Sequence, residues 1–257
     1  MTSSLAVGGL LRFTTIDFPG KLAAVIFLRG CNLRCSYCHN PELITSGRDE
    51  GLNETGNEAG EKVPDMSWKA VADFLKTRRG LLDGVVFSGG EPTLSPALYD
   101  AVSEVREMGF EVALHTNGCF PEKLEALLTS DLLSYVAMDV KAPFSGYSRI
   151  TPTGEGKSAR ESAKMLIHGH LPHEFRTTVH PDLLDDEAVL ELAEDLAGMG
   201  AKRFVLQPFH SGKTLLPGLS TPIGPFLRRS TIGRLEHVFS QFSVRGDPLR
   251  KIFRSPL

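Results

Sequence analysis

Three of the four cysteines, Cys31, Cys35 and Cys38, stand within eight residues, and the fourth, Cys119, is remote. The spacing C-x3-C-x2-C puts three soft thiolates on one short loop. Secreted disulfide frameworks instead spread paired cysteines through a small chain. A metal site, a redox pair and chance clustering remain, and the low cysteine frequency argues against chance. A structural zinc site needs a fourth ligand, generally from a second paired motif. No second C-x2-C exists, and His39, adjacent to Cys38, would have difficulty reaching the same ion. Three thiolates can hold three corners of a [4Fe–4S] cubane, whose electron-transfer versions take four cysteines. A missing fourth protein ligand leaves one iron open, which marks a catalytic rather than a structural centre.

The elements that would position such a loop are legible from periodicity. Apolar or β-branched runs at 22–28, 84–87, 111–116, 135–139, 175–180 and 203–207 read as strands. Helical patterns cover about 67–77, 96–108, 121–128, 158–167, 186–199 and 231–242, with Ser67 and Ser158 as N-caps and Gly80, Gly109 and Gly200 as stops. Six strands joined by crossover helices imply parallel pairing and right-handed connections, hence an open or incomplete (β/α) barrel of about six units. In such sheets ligands gather at the carboxyl ends of the strands. Each strand delivers unusual residues there: the cysteine loop, Ser88-Gly89-Gly90-Glu91-Pro92, His115-Thr116-Asn117-Gly118, Asp139-Val140-Lys141, Arg176 with His180, and Gln207-Pro208-Phe209-His210.

Composition is that of a globular chain: 257 residues, 41% hydrophobic, 23% charged, net charge −3. The longest apolar run, Leu22 to Leu28, is far too short to cross a bilayer, and the start lacks a basic segment followed by an apolar one. A cytoplasmic protein is expected, with no global field for nucleic acid or membrane. Residues 42–62 carry a net −4 and residues 226–257 a net +5. Both read as solvated surface. The polar stretch 46–64 reads as a surface insertion, and the tail after about 213 as a basic C-terminal extension of a single domain.

The triplet, with Tyr37 just before the third cysteine, resembles the radical S-adenosylmethionine (SAM) superfamily. Its fold is a partial (β/α)6 TIM-like barrel. The resemblance implies one [4Fe–4S] cluster on Cys31, Cys35 and Cys38, with SAM chelating the open iron. Ser88-Gly89-Gly90-Glu91-Pro92 alone reads as a strand-ending turn, but here it resembles the element that holds the methionyl amino end of SAM. Asp139 and Lys141 face the same way along a strand and could be a plain rim ion pair; the resemblance brings them to SAM. It does the same for Tyr37, Arg176 and His210, although a solitary histidine is more often structural. His115 stands where related activators carry an aspartate that helps bind a monovalent cation, and histidine cannot supply that anionic oxygen, so no cation is assigned. Cys119 reads as a loop residue, and the chain has no further cysteines for auxiliary clusters.

The flanks Arg12-Phe13-Thr14-Thr15-Ile16-Asp17-Phe18-Pro19-Gly20-Lys21 and Cys38-His39-Asn40-Pro41-Glu42-Leu43 narrow the branch. They resemble the glycyl-radical-enzyme activating enzymes, and most of all the anaerobic ribonucleoside-triphosphate reductase activating proteins. The resemblance covers about residues 10–210. It implies reduction of the cluster by flavodoxin or ferredoxin, cleavage of SAM to methionine and a 5′-deoxyadenosyl radical, and hydrogen abstraction from a glycine Cα of the partner's large subunit. No side chain need act as general acid or base. The alternatives are an activator of the pyruvate formate-lyase type, a radical SAM enzyme acting on a small molecule such as a deazaguanine-forming synthase, and, in another class, an iron–sulfur electron carrier or a zinc-binding scaffold.

Overall fold

A computed structural model describes residues 5–45, 66–154, 156–210, 214–216, 218–222 and 225–246. The expected insertion at 46–64 and the last eleven residues of the basic tail lie outside the described residues. Eight strands form one sheet in sequence order: β1 (Val7–Thr14), β2 (Ala23–Leu28), β3 (Gly84–Gly89), β4 (Glu111–Thr116), β5 (Tyr135–Asp139), β6 (His173–Val179), β7 (Arg203–Pro208) and β8 (Gln241–Val244). β1 runs antiparallel to β2, and every later neighbour is parallel. Among the described residues β1 and β8 are the two ends of the sheet and do not pair. The barrel is therefore partial, with a lateral gap between those edges.

Six helices alternate with the strands: α1 (Trp68–Lys76), α2 (Leu98–Glu107), α3 (Pro121–Thr129), α4 (Gly156–His168), α5 (Asp186–Gly198) and α6 (Arg229–Val238). Alternation along each strand divides the core in two. Outward residues such as Ile26, Phe87, Leu114, Met138 and Phe204 pack in one large cluster with the helices. Inward residues of the first strands are small, Ala23, Val25, Val86, Ala113 and Ala137, and are closed from below by Phe18 stacked on Tyr135 at 5.8 Å. Gly84 makes room for that plug, because a Cβ there would stand 2.8 Å from the Phe18 ring. The inward residues of β6 and β7 are mostly polar, Glu174, Arg176, Thr178, Arg203 and Gln207, with Val205 among them. Apolar packing fills half of the barrel and charge lines the other half.

All six expected strands are present, and the sheet extends beyond them at both edges. β1 escapes a sequence reading because Gly8 and Gly9 interrupt its apolar run. At the other edge, the helix expected through Phe242 ends at Val238. Phe239 turns extended and packs on Phe204 with ring centroids 4.9 Å apart, and the next residues pair with β7. The segment after 213 is thus more than an appendage, since it supplies α6 and the last strand. Ser67 caps α1 by accepting from the Ala70 amide at 3.2 Å. Ser158, in contrast, lies inside α4, which begins at Gly156, where a Cβ would meet the Phe144 carbonyl at 1.9 Å. No helix among the described residues is long and apolar enough to cross a membrane.

Candidate active site

The loop after β2 turns at Gly30, whose φ of +93° favours glycine. Its backbone is pinned from three sides. Gly30 and Cys31 donate to Leu43 and Ile44, Ser36 donates to Ile150, and Leu216 donates to the Ser36 carbonyl at 3.0 Å. The Leu33 amide faces the Cys31 sulfur at 3.4 Å. Cys31, Cys35 and Cys38 line one cleft of about 300 Å³ together with Gly89, Gly90, Asp139, Lys141 and Arg176. Among the described residues, no three His, Cys, Asp or Glu side chains converge closely enough to hold a single metal ion.

Burial pushes all three thiols up, Cys31 to about 12, while the Lys141 charge works in the opposite direction. Loading the site with metal must therefore release protons. Three thiols on one wall and two glycines beside them fit an iron–sulfur cubane with three protein ligands. Tyr37, buried beside them, has a hydroxyl without a hydrogen-bond partner among the described residues. Cys119 does not line the cleft; its sulfur lies 4.0 Å from the Asn117 carbonyl. Cys119→Ala is expected to keep its full iron content and SAM cleavage, as measured by anaerobic reconstitution and 5′-deoxyadenosine release.

The two glycines after β3 are set by backbone crowding. A Cβ on Gly89 would lie 2.3 Å from the Leu28 amide nitrogen, and one on Gly90 would lie 2.1 Å from the Gly30 carbonyl oxygen. The turn is thereby pressed onto the start of the cysteine loop, with the Glu91 amide donating to Gly30 at 2.8 Å. Glu91 differs from the sequence expectation of a carboxylate offered to a ligand. It is 1% exposed and does not line the cleft. One carboxylate oxygen accepts from the Thr93 amide at 3.0 Å, the Thr93 hydroxyl at 2.5 Å and the Thr116 hydroxyl at 2.7 Å; the other accepts from the Asn117 amide at 2.6 Å. Burial pushes this carboxyl upward, and the four donors oppose that shift. Asn117 in turn donates to the Asn32 side chain at 2.9 Å. Glu91 ties the ends of β3 and β4 to each other, and through Asn117 to the cysteine loop.

Asp139 and Lys141 do meet across the rim, 3.1 Å apart, and the other Asp139 oxygen takes the Arg176 Nε at 2.8 Å. Burial works to raise the Asp139 carboxyl, but Arg176 and Lys141 override it and hold it well below the usual carboxylate range. Arg176 also reaches His115 Nδ1 at 3.3 Å, and His115 Nε2 lies 2.8 Å from the Asp17 carbonyl. A carbonyl can only accept, so the proton sits on Nε2 and Nδ1 accepts from the guanidinium. Burial, then the Arg176 charge, pushes His115 well below its ordinary value and keeps it neutral. An internal guanidinium thus stands between Asp139 and His115.

His210 is placed differently. Its side chain is exposed and does not line the cleft, and its carbonyl lies 2.9 Å from His39 Nε2. The His39 ring stacks on Phe209 at 5.2 Å and does line the cleft. Thr178 and Arg245 also line it, and neither was singled out from sequence. Arg245 read there as one charge in a basic tail. Its signal was the alternation of Ser243 and Arg245 behind a short apolar pair.

Comparison with known proteins identifies the family. The radical SAM superfamily model matches residues 25–196. A Methanocaldococcus jannaschii protein named for glycyl-radical enzyme activation is 36% identical over 197 residues, covering 73% of this chain and 74% of its own. The pyruvate formate-lyase-activating enzyme of Clostridium pasteurianum is 32% identical over 201 residues, covering 76% and 78%. Streptococcus suis SuiB bound to S-adenosylmethionine shares the fold with a TM-score of 0.60 at 14% identity, over 87% of this chain and 50% of that one. The superfamily uses a [4Fe–4S] cluster and SAM, and Cys31, Cys35 and Cys38 carry its C-x3-C-x2-C motif. The chain belongs to the radical SAM superfamily, in its glycyl-radical-enzyme activating branch.

Proposed function

We propose that this protein generates the glycyl radical of an anaerobic ribonucleoside-triphosphate reductase, in the cytoplasm, with flavodoxin or ferredoxin as the electron donor. The observation that carries the reading is the shape of the site. The rim is occupied by groups suited to a small zwitterionic cofactor, while the barrel stays open between β1 and β8. A glycine on a narrow protein loop can enter such a gap while its parent domain covers it.

Cys31, Cys35 and Cys38 would hold the cluster. Gly89 and Gly90 would offer backbone to SAM, with Tyr37 as the neighbouring wall. Arg176 and Lys141 share the Asp139 carboxylate, which leaves one positive charge over for the carboxylate of the bound cofactor. When bound, the cluster and SAM supply a one-electron reductive cleavage of the sulfonium, giving a carbon-centred species able to take the hydrogen of a glycine Cα. The chain's own task is orientation and exclusion of water and other hydrogen donors. Leu33, Tyr37 and Ile44 give the cleft an apolar side, and the Phe18–Tyr135 stack closes the floor.

The test mixes reduced protein, SAM and the large subunit of the reductase from the same organism, its glycines deuterated at Cα. A glycyl radical signal in the partner with deuterium in 5′-deoxyadenosine is the expected result. Efficient SAM cleavage without label transfer from any co-encoded glycyl protein would remove the reading in favour of a small-molecule substrate.

A further inference from the structure

The charged half of the barrel contains groups to which the reading above gives no part in holding the cluster or SAM. Glu174, on β6, is a fully buried carboxylate with two guanidinium partners: Arg203 Nε at 3.0 Å from one oxygen and the Arg245 terminal nitrogen at 3.1 Å from the other. A buried carboxylate needs countercharge, yet one arginine would suffice. The two arginines differ in position. Arg203 projects at the lower level of β7, beside Glu174, and lines a second cleft of about 290 Å³ with Ile16, Pro19, Val205 and Ser243. Arg245 follows β8 and lines both this second cleft and the one that holds the cysteines.

The second cleft lies in the lateral gap, because its walls come from the β1–β2 loop on one side and from β7 and β8 on the other. It is the approach from that side to the rim, and Arg245 stands at the junction. At the junction both arginines share the Glu174 carboxylate, and Asp17, which accepts from the Thr14 hydroxyl at 2.6 Å, lines the cysteine cleft along with Arg245. A junction that offers guanidinium donors suits a strongly hydrogen-bonding segment. A guanidinium carries five N–H donors in a rigid fork. The contact with Glu174 engages one terminal nitrogen, which leaves donors for the cleft.

We infer that Arg245 is a substrate-positioning residue: it donates hydrogen bonds to the backbone carbonyls that flank the target glycine. This rests on the reading that the substrate is a protein glycine. An extended segment entering the gap must bury its carbonyls as it passes, and a buried carbonyl without a donor is costly. Glu174, itself paired with Arg203, holds the guanidinium in place from below.

The experiment uses the anaerobically reconstituted full chain and a heptapeptide spanning the reductase glycine, deuterated at Cα. Two further peptides carry a single oxygen-to-sulfur thioamide, one at the carbonyl before the glycine and one at the glycine's own carbonyl. Arg245→Met should raise the peptide KM by about tenfold or more, as expected for loss of a charged hydrogen-bond donor. Arg245→Lys, which keeps the charge but not the fork, should lie between. Iron content and thermal midpoint identify any variant that fails to fold, and the lysine variant then carries the comparison. The deciding result is the cycle: at least one thioamide should raise KM in the parent protein and lose that penalty in the Arg245 variant. An unchanged KM in both variants, or equal thioamide penalties with and without Arg245, overturns the inference while label transfer upholds the glycine reading. Absence of transfer from both the peptides and the intact subunit overturns the two together.

Discussion

Alanine at Cys35 is expected to lower SAM cleavage by more than about a hundredfold, since even residues that merely support metal ligands cost about 10–100-fold when removed. The same variant should lose most of its iron on anaerobic reconstitution, and Cys31→Ala and Cys38→Ala should behave alike. Cys35 is the most buried of the three and sits near both Lys141 and Asp139. Its loss removes one of three thiolates and leaves a hole that Cys119 does not reach, because Cys119 lies off the cleft. The loop itself should keep its path, because its anchors are backbone bonds to Leu43, Ile44 and Ile150. Apo-protein melting close to the parent's would confirm that the defect is ligation. Parent-like iron content and turnover in Cys35→Ala would dispose of the three-thiolate cluster.

Glu91→Gln is the second large effect, and it should appear in stability before it appears in chemistry. Four donors converge on this buried carboxylate. A glutamine keeps one acceptor oxygen and turns an NH2 group toward donors that need an acceptor. The cost is about 2–3 kcal/mol, the range for leaving buried polar groups unsatisfied. For a protein of this size that corresponds to a fall of roughly 4–12 °C in the apo-protein midpoint. The motif viewed as a rim ligand predicts the contrary, weaker SAM binding at an unchanged midpoint, so a thermal melt and a SAM-binding titration on one variant separate the two roles. A midpoint within a degree of the parent would mean that the carboxylate is available to the cofactor after all.

Both predictions trace back to what can be read along a chain and what cannot. Cys31, Cys35 and Cys38 are close in sequence, so their chemistry was visible without any fold. The six parallel strands and their helices were visible for a similar reason, since periods of two and 3.6 are properties of short windows. Even the glycines at 89 and 90 could be singled out, although the crowding by Leu28 and Gly30 that also requires them is not visible in the sequence. The edges were harder. β1 is broken by glycines, and β8 is a four-residue strand that continues a helical pattern without a breaker until Phe239 finds Phe204.

The sequence by itself determined the metal-binding loop, the α/β alternation and the rim on which polar residues would collect. Tertiary structure decided what those residues do, through contacts between positions far apart in the chain. Glu91 ties β3 to β4 because Asn117, 26 residues on, presents its amide. His115 became a neutral acceptor because Arg176, 61 residues on, fills the space beside Asp139. Arg245 became part of the entrance because it reaches Glu174, 71 residues back. Local preferences fix φ, ψ and which face a residue occupies. Which charge meets which donor depends on the register of strands that pair only after the chain has folded.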